Sequence, residues 1–547
     1  MRFSSLTLLA STLALSELAS AQANTVPGLD IKLETTSTIS RYRRTGSYPN
    51  GVQAIGTRTV CCNPGTVAIP FQAAMNPNHG WIHYILARES DGRLVQISNY
   101  AWVKHTFGSN NDPSTCGTCT NQATSSFVEP GCNDTYVASQ AVDHFNLGPP
   151  GEIDPWLGAW NPLCSHFDRG NPVVAPAQQC DGVRSLTSTQ ASALNTQIGD
   201  AMRLHDDDLV VPGSTFWYQS GYLVPGEAES LRDDNIGSRQ FTPTWGGSQW
   251  ALADGPSFLN GSILQRWTGA TITSAANGVD DGRYYVAVKV TGPVNGLYHY
   301  EYAVHNRDNK RGMGAFRIPI CAQANVVNFG FHDVDRNAIT DWTAAKVGNE
   351  IVFATQTVNP NPLRWNSLYN FWFDSDAAPQ TGTVLLDQYD IGPGALTVNV
   401  TSTTPSGLWN QNLGAGCGLP TAPSLFATGS PDRGLLGNTT LSLRTTNNPA
   451  GVPCAFVLST IAGTTALGGG CTVYSGDLGS VLGPITQVAD ASGTTSLPIP
   501  VPASASLEGV DFDFQMVNFA PVGALLGNFN LSNGLRVRIG NLIAGCP

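Results

Sequence analysis

The sequence predicts a mainly β fold made of antiparallel β-sandwich domains, with one amphipathic helix in the N-terminal region. Charged residues make up only 12% of the 547 positions, and the chain contains 58 glycines and 35 prolines. This composition excludes a helical bundle or a coiled coil. Most periodic segments alternate in polarity or are rich in β-branched and aromatic residues, and turn residues bound them at short spacing. The length predicts several domains rather than one packed unit.

Residues 1–21 have the pattern of a removable signal peptide. A positive start at Met1 and Arg2 is followed by apolar residues 6–15 and by a small-residue cleavage site at 19–21. We therefore expect a chain that is secreted or displayed at the extracellular surface. No later stretch approaches the ~18 to 20 apolar residues needed to cross a bilayer, so we expect no membrane span.

Residues 22–270 are expected to form an N-terminal, cysteine-containing, mostly β domain. Its best helical signal lies in residues 187–204, where Thr187 can cap a helix with Gln190 three positions later. Apolar residues then recur at helical spacing, at Ala191, Leu194, Ile198 and Ala201. This pattern predicts the single amphipathic helix.

Two further β-sandwiches are expected, a middle domain at residues 271–400 and a C-terminal domain at residues 417–547. Between them, residues 401–416 are rich in Ser, Thr, Pro, Gly and Asn and are interpreted as a linker. Alternating or β-branched runs predict strands of the middle domain at residues 284–290, 298–304, 316–320, 326–331, 351–357, 368–373 and 383–386.

Twelve cysteines in an exported chain predict a disulfide framework. Cys116 and Cys119 also have the spacing of half a zinc knuckle or of a redox motif. No second pair of this kind accompanies them, so disulfides are the preferred interpretation. In the C-terminal domain, Cys454 and Cys471 flank two apolar runs and could staple a hairpin.

Seven segments stand out at residues 91–107, 131–136, 147–160, 206–209, 298–312, 328–335 and 361–374, and read DGRLVQISNYAWVKHTF, GCNDTY, LGPPGEIDPWLGAW, DDDL, YHYEYAVHNRDNKRG, NFGFHDVD and NPLRWNSLYNFWFD. Together they resemble a pattern that recurs in an uncharacterised family of secreted bacterial multidomain β-proteins. The tail, from GAGCG at 414–418 to LSNGLRVRIG at 531–540, is similar to a β-rich C-terminal accessory module of exported proteins. The resemblance implies secretion and modularity and supplies no activity or catalytic residue.

The strongest candidate for a cation site is the stretch 333–341, whose oxygen-bearing side chains are Asp333, Asp335, Asn337 and Asp341. Oxygen ligands at this spacing can converge on Ca²⁺, which takes about six to eight of them. An EF-hand is excluded, because Ala338 replaces its turn glycine and Ala344 stands where its bidentate glutamate belongs. The alternative is a polar turn after a strand. Calcium is the one cofactor that this stretch predicts.

Two other acidic groups, residues 206–208 and 233–235, could bind calcium or supply a carboxylate pair. On a strand, Asp206 and Asp208 would face the same side, close enough for one carboxyl to raise the pKa of the other. Solvated loops are the preferred interpretation for both groups.

Histidines offer two further candidates. His105, His166 and Asp168 lie in the cysteine-rich first region and form an alternative metal or catalytic cluster, provided that folding brings them together. His299 and Glu301 would share a strand face and could reach one ion with a third ligand from another strand. A core or partnered histidine is the preferred interpretation for His299.

The first functional hypothesis is a secreted or cell-surface binding or structural protein, stabilised by calcium, whose ligand is a glycan or a cell-surface polymer. Exposed aromatic rings at a groove would stack on sugar rings, with core packing as the alternative. The net charge of −12 argues against a nucleic-acid partner, which demands a dense basic surface. The alternative hypothesis is an extracellular hydrolase or metal-dependent enzyme with its site in the N-terminal region, although no nucleophile-elbow, zincin or P-loop pattern occurs.

Overall fold

A computed structural model describes residues 25–170, 179–194, 198–277, 282–294, 297–322, 324–377, 379–405, 410–430, 432–474, 476, 482–507 and 509–540. The signal-peptide prediction at residues 1–21 lies outside the described residues. Antiparallel sheets dominate the structure, and the prediction of a mainly β fold is confirmed. Within the described ranges, no helix is long and apolar enough to cross a membrane.

The N-terminal domain is built from short strands joined by turns, with brief helical segments between them. Its strands are β1 (Lys32–Thr45), β2 (Val52–Cys62), β3 (Ile69–Pro70), β4 (Trp81–Ser90), β5 (Arg93–Gln96), β6 (Val103–His105), β7 (Asp112–Pro113), β8 (Phe127–Val128), β9 (Cys132–Tyr136), β10 (Leu147–Gly148), β11 (Ile153–Asp154), β12 (Ala159–Trp160), β13 (Met202–His205), β14 (Thr215–Leu223), β15 (Ile236–Trp245) and β16 (Trp250–Asn260). Its α-helices are α1 (Ser188–Leu194) and α2 (Asp206–Leu209), and its 3₁₀ turns are Ala138–Val142, Pro150–Glu152, Glu229–Leu231 and Ile263–Arg266.

Two sheets form the sandwich of the N-terminal domain. The first has the order β1-β2-β9-β7, with β13 paired to β2, and the second has the order β10-β6-β4-β14-β15-β16, with β5 paired to β4. Strands β3 and β8 pair separately, as do β11 and β12. Alternate side chains of the two sheets meet in one core that includes Ile55, Ile82, Leu86, Tyr218 and Phe241. Burial of this apolar face stabilises the pair of sheets.

The middle domain is a second sandwich. Its strands are β17 (Thr271–Ala276), β18 (Arg283–Val294), β19 (Leu297–Asn306), β20 (Met313–Pro319), β21 (Val326–His332), β22 (Thr343–Val347), β23 (Glu350–Ala354), β24 (Ser367–Ser375), β25 (Pro379–Gln388) and β26 (Thr397–Pro405). One sheet has the order β17-β18-β19-β24-β21 and the other the order β22-β23-β20-β25-β26. Aromatic side chains fill the space between them, among them Tyr300, Tyr302, Phe316, Phe353 and Phe371.

The C-terminal domain is a smaller sandwich. Its strands are β27 (Asn410–Asn412), β28 (Ser424–Thr428), β29 (Ser442–Thr446), β30 (Pro453–Ser459), β31 (Thr465–Gly468), β32 (Cys471–Val473), β33 (Leu482–Val488), β34 (Thr495–Pro498), β35 (Asp511–Phe519), β36 (Phe529–Leu531) and β37 (Leu535–Arg538), with a 3₁₀ turn at Ala505–Leu507. A sheet of order β27-β37-β35-β30-β33, with β36 on β35, packs against the sheet β28-β29-β34. Strands β31 and β32 form a separate hairpin. The core between the two main sheets includes Leu425, Leu443, Phe456, Met516 and Val537.

The predicted helix is shorter than residues 187–204. Its start agrees with the prediction, because Gln190 N donates to Thr187 Oγ1 at 3.2 Å and Thr187 N donates to Gln190 Oε1 at 2.9 Å. The described helix spans Ser188–Leu194, residues 195–197 lie outside the described residues, and residues 202–205 form strand β13 instead. Buried Met202 and Leu204 alternate with polar neighbours and pair with β2, so a strand period replaces the helical one there.

Residues 401–416, predicted as a linker, contain parts of two strands, and residues 406–409 lie outside the described residues. Residues 401–405 continue β26, whose alternating burial continues at Ser402 and Thr404. Residues 410–412 form β27, which pairs with β37 of the C-terminal sheet. Threonine is a good strand former, so the Ser/Thr-rich composition was compatible with a strand as well as with a linker.

Four disulfides join described cysteines: Cys62–Cys116, Cys119–Cys132, Cys164–Cys180 and Cys417–Cys471. The preference for disulfides over metal at Cys116 and Cys119 is confirmed, and each of the two cysteines pairs with a distant partner. The predicted Cys454–Cys471 staple is wrong, because Cys471 pairs with Cys417 and Cys454 is a buried thiol. Cys454 lies on β30 and Cys471 on β32, which belong to different sheets.

The N-terminal and middle domains share a small hydrophobic core at their seam. It contains Ile85 and Leu94 from the first domain, Tyr285 and Leu368 from the second, and Trp267 from the segment that joins them. The indole Nε1 of Trp267 donates to the carbonyl oxygen of Gly92 at 2.8 Å. Because the apolar side chains of both domains are buried against each other, the contact stabilises both domains.

A buried network of ions also crosses the seam. Asp308 of the middle domain accepts from Arg232 Nη1 at 2.9 Å and from Arg307 Nη2 at 3.0 Å, and all three residues are at most 4% exposed. Arg307 reaches back to Asp233 Oδ1 at 2.6 Å and to Glu229 Oε1 at 2.7 Å in the first domain. The network therefore fixes the relative position of the two domains.

Next to this network lies a carboxyl group that should make stability depend on pH. Burial raises the pKa of the fully buried Glu227 from 4.5 to about 8. Between these values the folded protein holds a proton that the unfolded chain releases, so the stability present below pH 4.5 is lost as the pH rises towards 8.

We expect Glu227→Gln to remove this contribution, because the amide does not ionise. Thermal melts of wild type and variant at pH values from about 5 to about 8 test this. The Tm of the variant should rise relative to that of the wild type as the pH increases. A difference that is constant across the range would contradict the assignment.

Candidate functional site

A groove, which we name the seam groove, opens between the N-terminal and middle domains. Its larger part, the aromatic chamber, has a volume of about 720 Å³ and is lined by Tyr100, Trp160, Trp365, Glu152, Asp154 and Lys310. Its smaller part, the arginine chamber, has a volume of about 390 Å³ and is lined by Arg203, Arg336, Arg364, Asn99, Tyr100 and Asp335. Tyr100 and Arg364 line both chambers, so the two adjoin.

The lining residues come from loops and strand ends of both sandwiches. Tyr100 lies in the loop between β5 and β6, and Arg203 lies on β13. Arg364 and Trp365 precede β24, and Lys310 lies between β19 and β20. Loops held on rigid sheets are where proteins commonly place binding side chains.

Asn366 anchors the loop that carries Trp365 and Arg364. Its φ of 56° lies in the left-handed region, which asparagine tolerates better than most residues. Asn366 Oδ1 and His83 Nδ1 lie 2.7 Å apart in a buried hydrogen bond, and Asn366 Nδ2 donates to the carbonyl oxygen of Tyr84 at 3.2 Å. Both of these partners belong to the N-terminal domain, so the loop is fixed across the seam.

Hydrogen bonds hold the aromatic chamber in place. Trp160 Nε1 donates to Glu152 Oε2 at 3.3 Å, and the backbone N–H of His166 donates to Glu152 Oε1 at 2.7 Å. Trp365 Nε1 donates to the carbonyl oxygen of Pro150 at 2.9 Å. Burial raises the pKa of Glu152, although these donors oppose the rise. The indole N–H groups are therefore satisfied within the protein, and the rings are oriented before any ligand arrives.

Ion pairs line the rim of the groove. Lys310 Nζ and Asp154 Oδ2 lie 2.6 Å apart and join the two domains, and Lys310 is half exposed. Arg364 Nη1 pairs with Asp390 Oδ2, and both side chains are more than a third exposed. The rim thus offers both cationic and anionic groups to a polar ligand.

The predicted calcium stretch lies at the edge of the arginine chamber. Asp333 and Asp335 are brought together by Asn361, whose Nδ2 donates to Asp333 Oδ2 at 2.6 Å and to Asp335 Oδ2 at 3.4 Å. Burial and the neighbouring carboxylate of Asp335 raise the pKa of Asp333 to about 7. Asn337 Oδ1 accepts from the backbone N–H of Ile339 at 3.3 Å.

Asp341 is the last of the four predicted calcium ligands in this stretch. Burial, and after it the charge of Asp335, raises the pKa of Asp341. Asp335 itself accepts from Asn337 N at 2.7 Å and from Thr340 Oγ1 at 2.9 Å. Asp335 and Asn337 of the predicted calcium stretch therefore accept hydrogen bonds from other groups of the same loop. In the part of the chain that the structure describes, no group of three or more His, Cys, Asp or Glu side chains has the geometry of a metal site.

The two other acidic groups form ion pairs. Asp206 is buried, pairs with Arg44 and accepts from Trp250 Nε1 at 3.0 Å, while Asp207 and Asp208 pair with Arg336 of the middle domain. Residues 206–208 lie in helix α2 with Asp206 buried, so they form neither the preferred solvated loop nor the alternative strand arrangement. In the second group, Asp233 pairs with Arg307 and Asp234 with Lys32.

In the alternative cluster, His105 and His166 both pack against the ring of Phe167, at centroid distances of 4.9 Å and 5.3 Å. His105 is buried, and its Nδ1 lies 2.9 Å from Nε2 of His79. Asp168 instead accepts from the backbone N–H groups of Gly182 at 2.8 Å and of Cys164 at 3.1 Å. His166 packs against the ring of Trp102 at a centroid distance of 4.5 Å. Across the described ranges, no hydrogen bond joins Asp168 to either histidine, and the catalytic role of the cluster stays a prediction.

His299 and Glu301 do share a strand face, as expected. His299 Nε2 lies 3.3 Å from Glu301 Oε2, and His299 Nδ1 lies 2.7 Å from Asp374 Oδ1 on β24. These two carboxylates raise the pKa of His299. The imidazole therefore bridges two carboxylates and uses both nitrogens for them, so this is a partnered histidine.

The groove itself was not predicted from the sequence. The sequence predicted aromatic rings at a groove without placing them, and no motif singled out Tyr100, Arg203 or Arg364. Each sits in a different segment, and only the docking of two sandwiches brings them to one cavity. The one usable signal was the aromatic segment 361–374, which contains both Arg364 and Trp365.

Comparison with known proteins yields no family. No family model matches the chain, and no curated protein matches it. Among solved structures it is similar to the full-length major pilin SpaD from Corynebacterium diphtheriae, at 9% identity over 59% of this chain and 75% of that one, with a TM-score of 0.18. It is also similar to two full-length structures of the pilus protein RrgB from Streptococcus pneumoniae, each at 10% identity. One covers 67% of this chain and 52% of that one at a TM-score of 0.14, and the other 92% and 63% at 0.15. These TM-scores are too low for the likenesses to carry an argument about fold or function.

Proposed function

We propose that this protein is a secreted or cell-surface binding protein whose seam groove holds an extracellular polysaccharide. The aromatic chamber carries the proposal, because the half-buried ring of Tyr100 lines one cavity together with carboxylate and ammonium groups and with Trp160 and Trp365, which are 6% and 4% exposed. Flat rings stack against the apolar faces of sugars, and charged or amide groups bond to their hydroxyls. The volume falls within the range of about 300–1,000 Å³ that ligand sites commonly occupy.

The disulfides support an extracellular location. Such bonds form and persist in oxidising compartments and are rare in the cytosol. Three of the four lie in the N-terminal domain, which supplies one wall of the seam groove. Cys164–Cys180 closes a loop next to Trp160, and Asp168 within that loop bonds the backbone on both sides of the bridge. The cross-links thus restrict the backbone near the aromatic chamber.

Calcium at residues 333–341 stays a prediction. Its support is that Asp335 and Asp341 lie close enough to the buried Asp333 to add to the rise in its pKa that burial causes, although the described side chains do not have the geometry of a metal site. Calorimetric titration of the chelator-treated chain with Ca²⁺, compared with Asp333→Ala combined with Asp335→Ala, tests it. Heat of binding that both proteins give equally, or that neither gives, would remove calcium from the account.

We expect Tyr100→Ala to weaken polysaccharide binding roughly three- to ten-fold, the loss that one aromatic stacking contact represents. The mature chain is applied to a glycan array, and the tightest polymer is then titrated by affinity electrophoresis. Tyr42→Ala is the matched control, because Tyr42 is a partly exposed tyrosine on β1 of the same domain and does not line the groove.

The outcome separates binding from other roles. Equal losses for the Tyr100 and Tyr42 variants would show that the seam groove is not the binding site. Retention by no polymer would remove the proposal. The same samples are assayed for newly released reducing ends, and a steady release would favour a hydrolase over a binding protein.

A further inference from the structure

Building on the proposed function, we infer that the bound polysaccharide is acidic and that Arg203 and Arg364 bind its anionic groups in the arginine chamber. A carboxylate and a sulfate each present two oxygen atoms that can accept hydrogen bonds from one guanidinium group. The inference rests on which guanidinium nitrogen atoms in this chamber already donate hydrogen bonds to protein groups.

Arg203 has the carboxylate of Asp200 as a nearby opposite charge, but no carboxylate is hydrogen-bonded to its guanidinium among the described residues. It lies exposed on β13, where its backbone N–H donates to Asn99 Oδ1 at 2.7 Å. Within the described ranges, its guanidinium forms no hydrogen bond or ion pair, although it lines the chamber. A free guanidinium presents five N–H donors in a rigid fork. Arg203 can therefore bond two oxygens of one anion at once.

Arg364 is only partly used. Its hydrogen bonds to Asp390 Oδ2 and, at 3.5 Å, to the carbonyl oxygen of Arg311 both leave from Nη1. Its Nε and Nη2 donate to no described residue. Arg336 differs, because its two terminal nitrogens are taken by Asp207 and Asp208. Arg336 is thus a structural link between domains, and Arg203 and Arg364 are the arginines with donors to spare.

The remaining lining favours an anion as well. Asp335 is the one carboxylate among the described residues that line the arginine chamber, and both of its oxygens accept from donors of its own loop or from Asn361. The hydroxyl of Tyr100 has no partner among the residues that the structure describes. It lines both chambers and can bond a sugar that extends from one to the other.

The charge of the whole chain makes the unpaired Arg203 informative. Acidic side chains outnumber basic ones by 40 to 28, so carboxylate partners are plentiful. An arginine whose guanidinium bonds no carboxylate, beside a cavity in such a protein, is the group available to an external anion. Because the net charge of −12 repels a polyanion as a whole, tight binding requires direct contacts of this kind.

Affinity electrophoresis of the mature chain with two pairs of polymers tests the inference. Polygalacturonate is compared with its fully methyl-esterified form, and dextran sulfate with dextran. We expect at least one charged polymer to be bound roughly ten-fold more tightly than its neutral counterpart, as one charge-assisted bidentate contact predicts. The preferred pair identifies the anion as a carboxylate or a sulfate.

Variants locate the effect. Arg203→Gln should abolish the preference for the charged polymer, while Arg203→Lys should restore part of the preference. The matched control is Arg444→Gln, since Arg444 is an exposed arginine on β29 of the C-terminal domain and the change in net charge is the same.

Three results would overturn the inference. Equal or tighter binding of the neutral polymers leaves the proposed function standing and removes the acidic ligand. Equal losses for Arg203→Gln and Arg444→Gln would mean that overall charge, not the chamber, sets the preference. Retention by none of the four polymers, together with an empty glycan array, removes the proposed function and this inference with it.

Discussion

Replacement of Asp308 by alanine is expected to destabilise the first two domains by about 3–5 kcal/mol, the range observed when one partner of a buried ion pair is removed. Asp308 is 3% exposed and bonds both Arg232 and Arg307. Its Oδ1 also accepts from the backbone N–H of Arg283 at 2.8 Å. Burial alone would raise the pKa of Asp308, but the two guanidiniums outweigh it and hold the pKa below its ordinary value. The variant leaves two buried cations without this partner.

Chemical denaturation monitored by tryptophan fluorescence measures the loss. The control is Asp207→Ala, because Asp207 pairs with Arg336 across the same seam while both side chains are about half exposed. An exposed pair contributes about 0–1 kcal/mol. Losses of similar size for the two variants would contradict the role assigned to burial.

Trp267→Ala is expected to cost about 3–5 kcal/mol and to lower the stability of both joined domains together. Trp267 is 2% exposed and packs in the shared core with residues of both domains. The cavity left by the indole cannot be filled by side chains from one sheet alone. The broken bond to Gly92 adds an unsatisfied carbonyl near that cavity.

Hydrogen exchange followed by mass spectrometry distinguishes a shared loss from a local one. Strands β4 of the N-terminal domain and β19 of the middle domain should both exchange faster in the variant. Val358→Ala is the control, because Val358 is 72% exposed in the middle domain and its truncation should change stability by less than about 0.5 kcal/mol. Faster exchange in only one of the two domains would refute the shared core.

Strand prediction worked where polar and aromatic side chains alternate along the sequence. In β19, Tyr300 and Tyr302 point into the sandwich core, while His299 and Glu301 form ion pairs on the opposite face. This period of two is visible in the sequence. It failed at residues 202–205, where a short alternating run follows directly on a helical one and pairing with β2 decides the outcome.

The site could not be predicted because its parts are distant in sequence. Arg203 and Arg364 are ordinary arginines until two separate sandwiches dock and place them on one cavity. Local spacing instead drew attention to Asp168 and to residues 206–208. The backbone amides of Cys164 and Gly182 bind Asp168, and Arg336 of the middle domain pairs with the second acidic group. Partners from elsewhere in the fold satisfy these groups, and no sequence pattern reports them.

Hydrogen exchange of the mature chain with and without the tightest polymer of the array tests the central claim most directly. If the seam groove is the binding site, amides at residues 97–103, 152–161 and 361–366 become protected by the polymer, and those of the C-terminal domain do not change. Protection confined to the C-terminal domain, or none in these three segments while the polymer is bound, would contradict the account.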